Sequence, residues 1–400
     1  MSAATERTRD TASASDPRLA TAFTRLTGAR YPIVQTGMGW VSGARLTAAT
    51  AAAGGLGILG SATMTFDELA AAIRAVKERT DAPFGVNLRS DAEDVEERVA
   101  LMVREGVRVA SFALAPRKDL FSRLRDAGIV TMPSVGARRH AEKVASWGAD
   151  AVLVQGGEGG GHTGAVPTSL LLPQVVDAVD IPVVAAGGYF DGRGLVSALA
   201  YGAAGIGMGT RFLLTADSTV ADNVKARYLA AGVDGTVVTT RVDGVPHRVL
   251  RTPLVDGLTS AGPLTRFPRA VRNAAAFRRS TGASWRGLLR EGRARRAHAG
   301  LSWSQVLMSA NTPMLLRASM VEGRDDLGLM TSGQVVGVID DLPTVAELIE
   351  RVVSEATTVL DRLSGIGGST PEHVAGPGNT VTSVTISSEM PAAAGADAPA

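Results

Sequence analysis

Short apolar runs rich in valine, isoleucine and leucine alternate along the chain with stretches of helical spacing. The runs are PIVQTG (32–37), LGILGS (56–61), FGVNL (84–88), VASFAL (109–114), IVTMPS (129–134), AVLVQG (151–156), PVVAAG (182–187) and GIGMG (205–209). Amphipathic segments such as TFDELAAAIRAVKERT and ARRHAEKVASWG follow them, the first opening on a threonine cap with an acidic first turn. Runs this short and apolar read as strands buried on both faces, and such strands alternating with helices form a parallel sheet. Eight units spaced about 20 to 30 residues apart predict an α/β fold of the TIM type, a closed (β/α)8 barrel rather than an open doubly wound sheet.

The predicted barrel occupies residues 25–218. Residues 219–365 read as a mostly helical extension packing on it as a lid. The ends, 1–24 and 366–400, are polar or rich in Gly, Pro, Ser, Thr and Ala and read as disordered tails.

Composition narrows the class of partner. An apolar share of 45% over 400 residues suits a globular protein with a substantial core. The 41 basic and 39 acidic residues nearly cancel, leaving +2, so nucleic acid is not an expected partner. The absence of cysteine excludes disulfides, thiolate metal sites and a cysteine nucleophile. The N-terminus lacks the apolar segment of a signal peptide, and no run approaches the roughly 18 apolar residues of a membrane helix. A cytoplasmic protein with no membrane partner is expected.

Barrels of this kind place their active sites at the carboxyl ends of the strands. Gly37-Met38-Gly39, Asn87, Ser134, Gln155, the loop QGGEGGGHTG with Gly160, Gly161 and His162, Gly187-Gly188 and Gly209-Thr210 all fall there. A tight turn explains any one of these glycines; the coincidence of such residues at six strand ends points to a ligand. The last two ends are where barrels often hold phosphate on backbone N–H groups and a short helix N-terminus, with Thr210 adding a hydroxyl. Phosphate alone leaves the other ends unexplained, whereas flavin mononucleotide (FMN) spans from that corner to Gln155, Asn87 and Met38. FMN is the expected cofactor. Glu158 and His162 lie four apart but lack a second histidine or a helix, so no metal is expected.

The set QTGMGWVSGARL, AGGLGILG, FGVNL, QGGEGGGHTG, AAGGYFDGRGL and YGAAGIGMGTRFL resembles the nitronate monooxygenase (2-nitropropane dioxygenase) family of FMN barrels, which also holds flavin-dependent enoyl-ACP reductases. The likeness runs from about residue 28 to 365. It implies that Met38, Asn87, Gln155, Gly161, Gly187, Gly188, Gly209 and Thr210 hold FMN and that His162 is the catalytic histidine beside it. The family loop usually reads Glu-Ala-Gly-Gly-His; here Gly159 stands where alanine is common. Beyond the barrel, VVTTRVDGVPHRVLRTPLV, LSWSQVLMSANTPMLLRASM and SGQVVGVIDDLPTVAELI are similar to the actinobacterial branch that acts in steroid ring C and D breakdown. That resemblance implies an FMN-dependent dehydrogenase introducing a double bond into the CoA thioester of a bicyclic hydroindanone acid. Nitronate oxidation with O2 and enoyl-thioester reduction are alternative activities of the same site. A flavin- or phosphate-binding barrel without catalysis is the alternative of a different class.

Desaturation beside a thioester needs a base for the acidic α proton and an acceptor for the β hydride, and a flavin serves as acceptor. His162 is a candidate for the base, or for a donor to the thioester carbonyl; residue types do not separate the two. His247 is a second-choice substrate residue, although a solvent-facing loop position is the plainer expectation. The arginine-rich segment 266–298 reads as a solvated helix face or as cations for CoA phosphates, with Arg241, Arg248 and Arg251 as rivals. Stretches around Trp285, Trp303 and Pro313 would form a lid that keeps water from reduced flavin. An unidentified electron acceptor is an expected partner, and the extension offers apolar surface for a homodimer.

Overall fold

A computed structural model of the chain describes residues 16–113, 117–242, 244–260, 312–325 and 328–365. The arginine-rich segment, Trp285, Trp303 and the C-terminal tail lie outside the described residues, as do residues 1–15.

Eight parallel strands close into the expected barrel. They are β1 (Ile33–Gln35), β2 (Leu56–Gly60), β3 (Phe84–Leu88), β4 (Val109–Phe112), β5 (Val130–Val135), β6 (Val152–Gln155), β8 (Val183–Ala186) and β9 (Gly205–Met208), joined in that order. Closure runs from β9 back to β1, with Ile33 opposite Ile206 and Gln35 opposite Met208. The strands are almost wholly buried because side chains fill the lumen on one side and helices cover the other. Val34, Ile58, Val109, Met132, Leu153 and Val184 pack inside.

The helix Phe66–Lys77 shows how sequence pattern becomes packing. Thr65 Oγ1 accepts the Glu68 N–H at 3.3 Å and Glu68 accepts the Thr65 N–H at 2.7 Å, a reciprocal cap worth about 1 kcal/mol. Leu69, Ile73 and Val76 then fall on one face, fully buried against the barrel, each contributing about 1.5–3 kcal/mol.

Part of the expected N-terminal tail is ordered. Residues 17–24, assigned above to the tail, include the 3-10 turn Pro17–Leu19 and the start of the helix Ala22–Thr27. The reason is apolar burial: Phe23 is fully buried in the lumen cluster, and Leu19 is buried in a second cluster that includes Ile33 of β1. Arg108, just before β4, holds this helix by donating to the Leu26 carbonyl at 2.6 Å, at the end of the barrel opposite the strand carboxyl termini.

The extension ends in the helix Val345–Leu363, again opened by a capping box, which lies along the helix Gly192–Ala200; Glu355 accepts the Gly192 N–H at 2.8 Å. Buried Arg211, after β9, donates to Asp341 of the extension at 2.7 Å, and Arg351 meets the same carboxylate. The extension also contributes a β-hairpin, β10 (Thr236–Thr239) and β11 (His247–Leu250), which the helical reading of this region did not include. Its partner is the two-residue strand β7 (Gly161–His162) of the glycine loop, giving a small sheet in the order β10-β11-β7. No helix among the described residues is long and apolar enough to cross a membrane.

Candidate active site

The glycine loop leaves the carboxyl end of β6 and is braced from several sides. Gln155, the last residue of β6, turns back beneath it and donates from Nε2 to the carbonyls of His162 at 2.9 Å and Gly160 at 3.2 Å. Gly159 makes room for that arrangement: a Cβ there would stand 2.6 Å from Cγ and Nε2 of Gln155. The departure from the usual alanine therefore has a local packing correlate. Glu158 accepts the Thr168 N–H at 2.9 Å and its hydroxyl at 2.7 Å, closing the loop onto the next helix, Thr168–Val176.

His162 is exposed on β7, and its directly paired residue on the hairpin is His247. The two rings stand 4.7 Å apart, centroid to centroid, tilted by 54°. His247 is only 4% exposed, so the expectation of a solvent-facing loop residue is corrected. Strand pairing with the glycine loop buries it. Its Nε2 lies 3.1 Å from Thr331 Oγ1, and the Thr331 carbonyl accepts the Tyr228 hydroxyl at 2.7 Å. Thr331 and Tyr228 were not singled out from the sequence; isolated residues of the extension carry no local pattern that ties them to a distant loop.

The neighbouring Arg248 does not reach outward as a cation for substrate phosphate. Its guanidinium donates to Thr236 Oγ1 and to the Gly157 carbonyl, both at 2.9 Å, while Nε is buried without an acceptor among the described residues. Burial pushes its pKa below the ordinary arginine range, opposed by the charge of Glu158. It braces the loop. Arg241 follows β10 in a turn, its N–H on Thr239 Oγ1, and Arg251 is exposed just past β11.

The remaining strand ends surround the same mouth. Asn87, buried on β3, donates to Ser111 Oγ at 3.1 Å, and Ser134 is the penultimate residue of β5. Ser42 Oγ accepts the Met38 N–H at 2.9 Å and donates to the Thr36 carbonyl, which fixes the Gly37-Met38-Gly39 turn after β1. Gly187 and Gly188 both have positive φ, +97° and +85°, a conformation that L side chains rarely adopt. They follow β8, adjacent to β9 with Gly209 and Thr210. Among the described residues, the backbone N–H groups of Gly187, Gly188, Gly209 and Thr210 donate no turn or loop hydrogen bond. The Thr210 hydroxyl accepts the Gly333 N–H at 2.9 Å. Four such N–H groups on two adjoining strand ends suit an anionic oxygen cluster such as a phosphate.

Trp40 carries two unfavourable features. Its φ is +66°, and its indole Nε1 is buried without a partner among the described residues. The first costs about 1–2 kcal/mol and the second about 1–3 kcal/mol. The Arg317 guanidinium lies over its ring, 5.6 Å from the centroid.

The profile of the family described as "Nitronate monooxygenase" matches residues 20–355. The chain is 63% identical over 352 residues to (3aS,4S,5R,7aS)-5-hydroxy-7a-methyl-1-oxo-octahydro-1H-indene-4-carboxyl-CoA dehydrogenase of Mycobacterium tuberculosis (strain ATCC 25618 / H37Rv), covering 87% of this chain and 99% of the relative. A protein of the same name from Rhodococcus jostii (strain RHA1) is 58% identical over 348 residues, with the same coverage of each chain. Among solved structures, FabK from Thermotoga maritima matches with a TM-score of 0.70 and 34% identity, over 86% of this chain and 99% of that one. With a family match spanning the whole barrel and most of the extension, and relatives alike along nearly their full length, the chain belongs to the nitronate monooxygenase family of FMN-using oxidoreductases.

Proposed function

We propose that the protein is an FMN-dependent dehydrogenase of a bicyclic hydroindanone carboxyl-CoA thioester derived from steroid rings C and D. The observation that carries this reading is the 63% identity to a dehydrogenase of such a thioester, over 99% of that relative's length. Nitronate oxidation is the alternative within the same family.

The residues present fit the cofactor. The N–H groups of Gly187, Gly188, Gly209 and Thr210 are donors of the kind that hold the FMN phosphate, and the positive φ values keep side chains out of that corner. Met38, Gly37, Gly39, Asn87, Ser134, Gln155, Gly160 and Gly161 would line the path of the rest of the molecule. Bound FMN would supply the acceptor for the hydride released from the β carbon.

The chain's own part concerns the α carbon. Desaturation breaks the α C–H bond, whose proton passes to a base, and the β C–H bond, whose hydrogen leaves with its electron pair as the new double bond forms. His162 is the base: it is exposed at the mouth, its backbone is pinned through Gln155, and its ring faces that of His247. His247, tethered by Thr331, is a positioning residue that restricts how the His162 ring turns. Arg241 and Arg251, on the same hairpin, supply positive charge for coenzyme A phosphates, while Arg248 holds the loop.

The test is anaerobic mixing of the flavin-loaded protein with the hydroindanone CoA thioester while the visible flavin band is followed. Bleaching, with a product lighter by two hydrogens, is the expected result. A flavin that stays oxidised with the thioester but is reduced by an alkyl nitronate moves the assignment to the monooxygenase activity.

A further inference from the structure

We propose that Trp40 is a specificity residue that donates its indole N–H to the ring ketone of the substrate, at the end remote from the thioester. This rests on the dehydrogenase reading above and adds to it a contact with the ring system.

Three observations converge on this one side chain. Trp40 is the only non-glycine residue with positive φ among the described residues, and it sits just past β1 at the rim where barrel sites form. Strain of this kind persists where surrounding structure enforces it and clusters at ligand contacts. Here the enforcement is visible. The Trp40 N–H donates to Thr63 Oγ1 at 3.1 Å, and the preceding turn is fixed by Ser42. The indole N–H is buried yet unpaired among the described residues. An indole is a donor and never an acceptor, so its complement is an oxygen that accepts only, as a ketone does.

The third observation is the cover. Arg317 lies over the indole ring and belongs to the helix Thr312–Met320. Leu315 and Leu316 of that helix pack in a cluster with Val249 of β11, the strand that carries His247. Met320 of the same helix meets the Tyr228 hydroxyl, which in turn donates to Thr331. One helix therefore ties the Trp40 rim to the histidine rim. The guanidinium takes an indole face, and the indole N–H is the polar group of that side chain left for hydrogen bonding.

A site built to hydrogen-bond a substrate oxygen discriminates strongly against the analogue that lacks it, because the donor is then left buried and unmatched. Binding is measured by calorimetry on the holoenzyme with its flavin already reduced, so that no turnover follows. The two probes are the hydroindanone CoA thioester and its analogue with the ketone reduced to methylene. Wild type is expected to favour the ketone by about tenfold or more. Trp40→Phe, which keeps an aromatic ring but removes the donor, should bring the two affinities within about twofold. Trp40→Gly suits the positive φ and guards against misfolding of the first variant; it should lose the preference as well.

An absent preference in wild type, or a preference that survives both substitutions, overturns the proposal. Failure of the dehydrogenase reading looks different: oxidised wild-type enzyme is then not bleached by the thioester, whatever the binding ratio. Lack of binding by either probe refutes both.

Discussion

His162 on β7 and His247 on β11 are directly opposed strand partners whose rings lie 4.7 Å apart. The pair joins the glycine-loop side of the barrel to the extension, so the hairpin is part of the candidate site rather than a cover laid over it.

Removal of the His162 imidazole should separate binding from chemistry. His162→Ala is expected to retain flavin, since the N–H groups of Gly187, Gly188, Gly209 and Thr210 lie on other strands, and to lose about a hundredfold to ten-thousandfold in the rate of anaerobic flavin reduction. Stopped-flow absorbance measures it; an unchanged rate would remove His162 from the mechanism.

The tether on His247 is testable through its hydroxyl partner. Thr331→Val keeps the shape but removes the oxygen 3.1 Å from His247 Nε2, and should lower kcat about ten- to a hundredfold with KM little changed. Thr331→Ser should restore most of the rate. Equal loss in both variants would point to packing instead of orientation.

Gly187 combines a φ of +97° with a tight environment, because a Cβ there would stand 3.1 Å from the Gly156 carbonyl oxygen. Gly187→Ala should cost about 1–3 kcal/mol at the strand end and weaken flavin retention about tenfold or more. The flavin-to-protein ratio after gel filtration reads this directly.

Acid should loosen the clasp between barrel and extension. Burial alone would raise the Asp341 carboxyl pKa, but hydrogen bonds from Arg351 and Arg211 outweigh it and hold the pKa below the usual range. A depressed carboxylate stabilises the fold above its unfolded pKa of about 3.9 and loses that contribution as pH falls through the lower folded value. Asp341→Asn leaves Arg211, only 3% exposed, without its carboxylate. The expected cost at neutral pH is about 1–3 kcal/mol, below that of a fully buried pair because Asp341 is 38% exposed. Tm curves of the two proteins should converge below about pH 4; parallel curves would exclude the clasp.

The sequence by itself determined the barrel. Its eight strands and their order follow from local physics: β-branched runs too short for helices, caps such as Thr65 with Glu68, and glycines where strands end. The loop around His162 was legible for the same reason, because six glycines beside one imidazole are a contiguous signal. Only the tertiary structure decided what faces that loop. His247, Thr331 and Arg248 come from a hairpin and extension far along the chain, where pairing is set by register and burial that no local pattern encodes. The same holds for Phe23, whose polar surroundings read as tail until the barrel supplies a lumen for it to fill. Strain at Trp40 also emerged only in three dimensions, since a left-handed backbone at a non-glycine residue is imposed by neighbours and not by the residue itself.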